Sequence, residues 1–579
     1  MIRVEKKILR SSLPDVTNDL SDQLHPVLRR IYALRGLTSS KELDMGLEQM
    51  LTPDNLGGTK EAAILLFSAI KEGKKIIIVA DFDADGATSC ALAIKALRAM
   101  GAQQVDYLVP NRFEYGYGLT PEIVEEALKR KPDLLVTVDN GISSIQGVKR
   151  AKAAGMQVLI TDHHLPGRTL PDADVIVNPN NPGESFSSKN LAGVGVIFYL
   201  MVALRKLLRS EAWFKQKGIQ EPNLAALLDL VALGTVADVV PLDHNNRILV
   251  YQGLQRIRSG HCCEGIKALF ERSGRNLQRV VASDLGFAIG PRLNAAGRLD
   301  DMSIGIECLL TEDATVAFEL ARSLDELNRE RRQIENEMRQ QAVGDIETLI
   351  PDGDLPFGLA IFREDWHQGV IGILAARIRE RFHRPVIAFA PAEEGMIKGS
   401  ARSIPGLHIR DALDAIATRY PELLEKFGGH AMAAGLSLRR TDFDAFKDQF
   451  DAQVRESIDA EGLNGVILSD GALDCRDLSF QLAELLRSSG PWGQGFPEPL
   501  FDGVFRIVSL RVVGERHLKM VLEPEDGGQR VDAIAFNQVE NQSGNGNEKL
   551  HIAYRLDINE FRGTRKLQLI VEHFEKVLE

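Results

Sequence analysis

The sequence predicts an α/β protein: a parallel-sheet unit, a second α/β unit joined to it by a long helix, and a small C-terminal β-barrel. Three observations lead there. Short β-branched runs alternate with helix-like stretches from residue 74 to 180 and again from Leu355. A stretch dense in Glu, Arg and Gln separates the two regions. Five short strand-like runs occupy the last ~110 residues.

Residues 1–70 read as helix and loop, with Glu61–Lys71 (EAAILLFSAIK) carrying apolar residues at helical spacing. KKIIIVA (74–80) is a buried strand that ends in DFDADGATS and runs into the helix-like ALAIKALRAMG. DLLVTV (133–138) ends in DNGIS, before a helix through Ala151–Ala154. QVLIT (157–161) ends in DHHLP, and DVIVNPN (174–180) follows. Strands alternating with helices indicate a parallel sheet, and continuous apolar strands fit one covered on both faces. Residues 190–260 read as helices, including LDLVALGTVADVVPL (228–242), and GFAIGPRLNAAGRLDD (286–301) as a Gly-rich polar loop. SLDELNRERRQIENEMRQQA, within 312–347, reads as a long exposed helix bridging two domains. The second unit contributes strand-like FGLAIF and PVIAFA and helical GVIGILAARIRERF. Beyond Asn464, VFRIVSLRVV, HLKMVLEP, RVDAIAF, KLHIAYRLDI and TRKLQLIVEHF suit a small OB-like barrel. QVENQSGNGNEK (538–549) reads as a flexible hairpin loop. The expected division is 1–70, an N-terminal helical segment; 71–310, the parallel-sheet domain; 311–350, the connecting helix; 351–463, the second α/β domain; and 464–579, the barrel.

Composition narrows the class. Of 579 residues, 44% are hydrophobic and 26% charged, as in globular proteins with sizeable cores. There is no uncharged apolar run long enough for a membrane span, and MIRVEKKILRSSLPD lacks the apolar region of a secretory signal. The five cysteines, Cys90, Cys262, Cys263, Cys308 and Cys475, form no CxxC pair, which fits free thiols in a reducing cytoplasm. A net charge of -12 argues against a passive DNA-coating protein. It leaves room for a nuclease, because carboxylates gathered for metal ions add negative charge and a basic path can be local. Residues 375–410 hold seven Lys/Arg against three Asp/Glu, which reads first as a solvated basic face.

Three successive strands end in acidic or histidine motifs: Asp81, Asp83 and Asp85; then Asp139; then Asp162, His163 and His164. Strand C-termini of a parallel sheet converge on one edge, where ligands bind. Carboxylates gathered there repel one another, and divalent cations relieve the repulsion. Oxygen ligands mixed with imidazole suit Mn²⁺ or Mg²⁺. Gly86 and Gly141 are expected to let the chain turn tightly after the acidic residues. A lone DxD is most often a turn or cap; three such motifs at successive strand ends are a metal site.

DFDADG, VDNG and TDHH in this order resemble the motifs of the DHH phosphoesterase family, and Asp238 in GTVADVVPL matches its fourth. The resemblance implies two metal ions. Asp81 and Asp83 would help hold one; Asp85, His163 and Asp238 the other; Asp139 would bridge them. His164 would face the scissile phosphate, and Asp162 would orient a histidine. Some relatives carry a His four residues before the DxD aspartate. Counted from Asp83 that position is Val79, which leaves the part of Asp81 as a substitute open. With two ions activating water, no Ser or Cys nucleophile is needed.

GGHAMAAG (428–435) resembles the Gly-rich motif of the DHH-associated domain, with Gly428, Gly429 and Gly435 around His430. Such a loop serves either backbone approach to a phosphate or close helix packing. KGSARS (398–403) adds Lys398, Ser400, Arg402 and Ser403, suited to phosphate contact or to an ordinary polar turn. Arg292, Asn294 and Arg298 either face the substrate or pair with Asp300 and Asp301, and Trp366 either stacks on a base or is structural. With the barrel, these stretches look like the RecJ nucleases of the family. The resemblance implies a 5′-to-3′ exonuclease for single-stranded DNA in repair and recombination, working in the cytoplasm with a single-strand binding protein and a helicase. The alternatives are a phosphodiesterase for short oligonucleotides or cyclic dinucleotides, expected in a shorter chain without the barrel, and an inactive scaffold, expected to have lost its metal ligands.

Overall fold

The structure, a computed structural model, describes residues 6–13, 19–110, 118–348, 355–514, 516–539, 548–561 and 563–577. Most of the expected 538–549 hairpin loop lies outside them. The chain forms two compact units, each discontinuous in sequence: Met1–Arg10 with Arg329–Ser469, and Ser11–Asn328 with Asp470–Glu579.

The first strand, Lys6–Arg10 (β1), corrects the helix-and-loop reading of residues 1–70. Its partner lies far along the chain, so nothing local marks it as a strand.

The larger unit is built on Ile76–Ala80 (β2), Val105–Leu108 (β3), Leu134–Val138 (β4), Gln157–Thr161 (β5) and Val175–Val177 (β6). They form one sheet in the order β3-β2-β4-β5-β6, and every pairing is parallel. Along β2 the side chains alternate between two cores. Ile76, Ile78 and Ala80 enter one, Ile77 and Val79 the other. All five are buried, so both faces are covered and the strand reads apolar throughout. Each fully buried Ile contributes on the order of 1.5–3 kcal/mol.

Residues 286–301 are not a loop. Leu285–Ile289 is a turn of π-helix and Gly290–Leu299 an α-helix. The glycines that suggest a loop serve close packing instead: a Cβ on Gly297 would lie 1.8 Å from the Phe82 carbonyl oxygen.

The long helix is Ala314–Thr348, roughly 50 Å at 1.5 Å per residue. It is not exposed all round. Ala317, Ala321, Leu324, Asp325, Asn328, Arg331, Glu335, Met338, Ala342 and Ile346 form one buried stripe. Charged members such as Arg331 and Glu335, paired at 2.7 Å, hide the stripe's apolar periodicity in the sequence.

The smaller unit has Leu359–Phe362 (β7), Val386–Pro391 (β8), Met396–Arg402 (β9), Lys426–Gly429 (β10) and Ala433–Arg439 (β11), in sheet order β10-β11-β9-β8-β7. Gly465–Ser469 (β12) pairs in parallel with β1, Lys6 opposite Gly465.

Phe501–Val513 (β13), His517–Pro524 (β14), Val531–Ala535 (β15), Lys549–Phe561 (β16) and Thr564–Lys576 (β17) close into a barrel in the order β13-β14-β15-β17-β16. The barrel belongs to the larger unit and shares its core. Tyr32 stacks on Trp492 and Trp492 on Phe496, at centroid distances of 6.0 and 5.2 Å, and Arg247 covers the Phe496 ring at 4.3 Å. Arg35 grips Asp470 through both terminal nitrogens, and both side chains are buried. No helix among the described residues is long and apolar enough to cross a membrane, and all five cysteines are free.

Candidate metal centre

Asp81 follows β2, and Asp83 caps the Ala84–Ala99 helix, its Oδ1 accepting the N–H of Asp85 at 2.9 Å and of Gly86 at 3.0 Å. Carboxylates at a helix N-terminus are favoured by its dipole. Gly86 is not at a left-handed turn: it is helical, and a Cβ there would stand 2.4 Å from the Asp81 carbonyl oxygen. Its hydrogen lets the helix start against the Asp81 backbone. Asp85 is buried and accepts the N–H of Gly193 at 2.6 Å and of Val194 at 2.9 Å, at the start of the Gly193–Ser210 helix. A Cβ on Gly234 would lie 2.8 Å from Asp85 Oδ1.

Asp139 follows β4 in the left-handed region, with φ 61°. Gly141 has φ 114°, as the expected tight turn requires. Asp162, after β5, is fully engaged: its Oδ1 accepts the N–H of His163 at 2.7 Å and meets His164 Nδ1 at 2.7 Å, while Oδ2 accepts the N–H of Ile142 at 2.9 Å. Asn180 donates to the His163 carbonyl at 2.7 Å and Asn178 to the His164 carbonyl at 2.9 Å. These two asparagines hold the double-histidine turn, and sequence reasoning passed over them; their signal is the NPN directly after the β6 run. Asp238 caps the end of the Leu228–Ala237 helix.

The arrangement gathers ligand atoms in three groups, each within 4.8 Å: Asp81, Asp83 and Asp139; Asp85, His163 and Asp238; and Asp139, His163 and His164. Asp139 is common to the first and third. His163 Nε2 lies 3.1 Å from Asp139 Oδ1 and 3.5 Å from Asp238 Oδ2. Burial, and then the neighbouring carboxylates, push Asp85 and Asp139 well above the usual carboxylate range. Burial and Asp83 push Asp238 up to about 7 against the opposing pull of His164. Burial works against charge on Asp162 and His164, but their mutual bond prevails, lowering the Asp162 pKa and raising that of His164 to about 9. The cluster thus concentrates more negative charge than the protein offsets. Its carboxylate oxygens and imidazole are a donor set that fits Mn²⁺ or Mg²⁺.

Other expected site residues divide. Lys398, Ser400 and Arg402 alternate along β9, and Gly435 on β11 pairs with Ser400 and with Gly428 on β10. Gly428 and Gly435 have open space where a Cβ would be, so helix packing does not explain them. Gly429, at φ 145°, makes the hairpin that presents exposed His430. Arg402 donates to Ser400 Oγ at 3.1 Å and to the Ala401 carbonyl at 2.7 Å. No carboxylate pairs with it among the described residues, and burial, with Arg379 nearby, lowers its pKa. The N-terminal turn of the Ile371–Phe382 helix presses on the same spot: a Cβ on Gly372 would be 3.0 Å from both Arg402 Nη2 and Ser400 Oγ. Ser403 is elsewhere: fully buried, it donates to the Leu407 carbonyl at 2.8 Å.

Arg292 and Asn294 are turned inward. Arg292 is buried and pairs with Asp325 of the long helix at 2.8 Å, not with Asp300 or Asp301. Asn294 Oδ1 accepts the N–H of Ala84 at 2.7 Å. Arg298, on the same helix, is half-buried. Trp366 is buried and donates to Gln341 at 2.8 Å, which settles its structural part.

Three family models match the chain: the N-terminal domain of the DHH family over residues 75–235, the DHHA1 domain over 356–456 and the RecJ OB domain over 469–573. The single-stranded-DNA-specific exonuclease RecJ of Salmonella typhimurium is 56% identical, over 98% of this chain and 99% of that protein. The crystal structure of RecJ from Thermus thermophilus in complex with Mn²⁺ matches with a TM-score of 0.80 at 31% identity, covering 100% of this chain and 80% of that one. The Mg²⁺ complex from the same source matches with a TM-score of 0.75 at 29% identity, covering 100% and 79%.

Proposed function

The chain belongs to the RecJ family of single-stranded-DNA-specific exonucleases, and from that premise we propose that it degrades single-stranded DNA from the 5′ end, by hydrolysis at the carboxylate–histidine centre. The observation that carries the reading is the convergence of Asp81, Asp83, Asp85, Asp139, His163 and Asp238 at the edge of the parallel sheet. Asp81, Asp83 and Asp139 form one cation position; Asp85, His163 and Asp238, with Asp139 shared, form the other. Two divalent cations, when bound, supply an activated water and neutralise charge growing on the phosphoryl oxygens. His164 is the group left to meet the scissile phosphate. Its side chain is 36% exposed, and Asp162 fixes the ring. Asp162 acts through that histidine.

In this reading residues 71–310 carry the chemistry and 464–579 hold the strand, while 351–463 take the 5′ phosphate on Lys398, Ser400, Arg402, Gly428, Gly429 and His430. Among the described residues no carboxylate pairs with Arg402, which supports that assignment, because a guanidinium without a carboxylate partner suits phosphate. The same reading makes the enzyme a cytoplasmic one of DNA repair and recombination, working beside a single-strand binding protein and a helicase. Single strands labelled at the 5′ or the 3′ end, incubated with and without Mn²⁺, test it. Early release of the 5′ label as mononucleotide, only with metal, is the expected result; early release of the 3′ label would reverse the polarity.

A further inference from the structure

Three large apolar side chains stand in solvent beside residues of the metal centre. Leu165, next to His164, is 60% exposed; Val239, next to Asp238, is 62% exposed; Phe287 is 79% exposed. Isolated exposed apolar residues are ordinary. These are not isolated from the chemistry, and two of them sit on unusual backbone. Val239 has φ 63°, a left-handed conformation that β-branched residues resist. Its exposed side chain gains no burial in exchange, so packing does not account for it.

Phe287 rides on the π-helical turn Leu285–Ile289, a rare form concentrated at functional sites. Gly286 and Gly290 press that turn onto the end of the Leu228–Ala237 helix. A Cβ on Gly286 would lie 3.3 Å from Val236 Cγ1, and one on Gly290 would lie 3.1 Å from the Ala237 Cβ. Asp238 is the next residue along. Phe287 and Val239 therefore project from two packed turns that flank one carboxylate of the centre.

What covers this patch follows from what the centre cuts. A phosphodiester at the centre carries a nucleoside on either side, and the patch lies by Asp238, one carboxylate of that centre. Every base offers a π-face to an aromatic ring, whatever its identity. We propose that Phe287, backed by Val239, is a stacking platform for the base of a nucleotide flanking the scissile bond. Unpaired bases reach it; bases stacked within a duplex do not. The inference rests on the single-strand reading above and adds to it a residue that selects unpaired DNA.

The test compares a 5′-phosphorylated oligo(dT) with a backbone of the same length carrying abasic residues at every position. Phe287→Ala is expected to lower kcat/KM on oligo(dT) about tenfold, to leave the abasic strand unaffected, and to be rescued by Phe287→Trp. A second readout needs no catalysis. Native Trp213, Trp366 and Trp492 are all buried, so a Trp at 287 reports on the patch. In an Asp139→Asn background its fluorescence should be quenched by oligo(dT) and not by the abasic strand, with anisotropy confirming that both bind. Equal rates for Phe287→Ala and wild type on both strands, equal losses on both, or bound oligo(dT) without quenching would each overturn the platform. Failure of the wild type to cut oligo(dT) at all would instead sink the single-strand reading.

Discussion

Asn294 accepts the backbone N–H of Ala84 at 2.7 Å, tying the Gly290–Leu299 helix to the turn that carries Asp81 and Asp83. Gly297 lies against the Phe82 carbonyl in the same turn, and Arg292 anchors the helix on buried Asp325. Asn294→Ala removes the acceptor and leaves the Ala84 N–H to compete for others. It should lower stability by about 1–3 kcal/mol and shift the Mn²⁺ activation curve to higher concentration by about 10–100-fold. An unshifted metal titration in a folded variant would mean that Asn294 has no part in placing the turn.

Asp139 belongs to two of the three ligand groups. Asparagine tolerates its left-handed backbone, so Asp139→Asn keeps the fold and removes one charge. Activity should fall more than about 100-fold, while the metal-free protein melts at a higher temperature because less charge is crowded together. Near-normal activity, in this variant or in EDTA, would refute the two-cation centre.

The raised carboxyls make metal-free stability depend on pH. Asp85, Asp139 and Asp238 hold protons in the folded state that the unfolded chain releases near pH 4. Their stabilising contribution is therefore fully present below about pH 4 and is lost as pH rises through the folded values, about 7 for Asp238. In EDTA the melting temperature should fall from pH 5.5 to 8, with a shallower slope in Asp139→Asn, and Mn²⁺ should offset most of the fall. A metal-free melting temperature that stays level or climbs over that range contradicts the repulsion argument.

Strand affinity is tested on the barrel's surface. Deleting residues from Gly465 onward would strip β1 of its partner and bare the Tyr32 ring and the Arg247 guanidinium, so weak binding by that truncation would say little. Arg511 and Lys519 face each other across β13 and β14. Arg511→Glu with Lys519→Glu should weaken binding of long single strands and reduce the salt slope by about 1–2, with hydrolysis of short oligonucleotides retained. Unchanged affinity for long strands would remove this face from the binding path.

Three of the metal motifs were legible because each is local, a strand of five residues and then acids or histidines just after it; Asp238, at the end of a helix, was legible only through the family resemblance. The convergence of those three needs only the rule for parallel sheets. The parts that escaped are relations across sequence. Asn178 and Asn180 act on carbonyls of a neighbouring strand end. Glycine in 286–301 looks the same whether it frees a loop or lets two backbones touch. Arg292 finds its carboxylate 33 residues on, in a helix whose charged stripe conceals that it is buried. KGSARS reads as a turn or a polar contact site, but strand alternation in β9 and the reversal after it send Ser403 inward, away from Ser400.

The pairing of β1 with β12 orders events during synthesis. Gly465, opposite Lys6, leaves the ribosome only after the more than 450 residues between them have been made. At roughly 5–20 residues per second that interval is about half a minute or longer. Through it β1 has an open edge and lacks its partner strand, so a nascent chain is exposed to misassociation there.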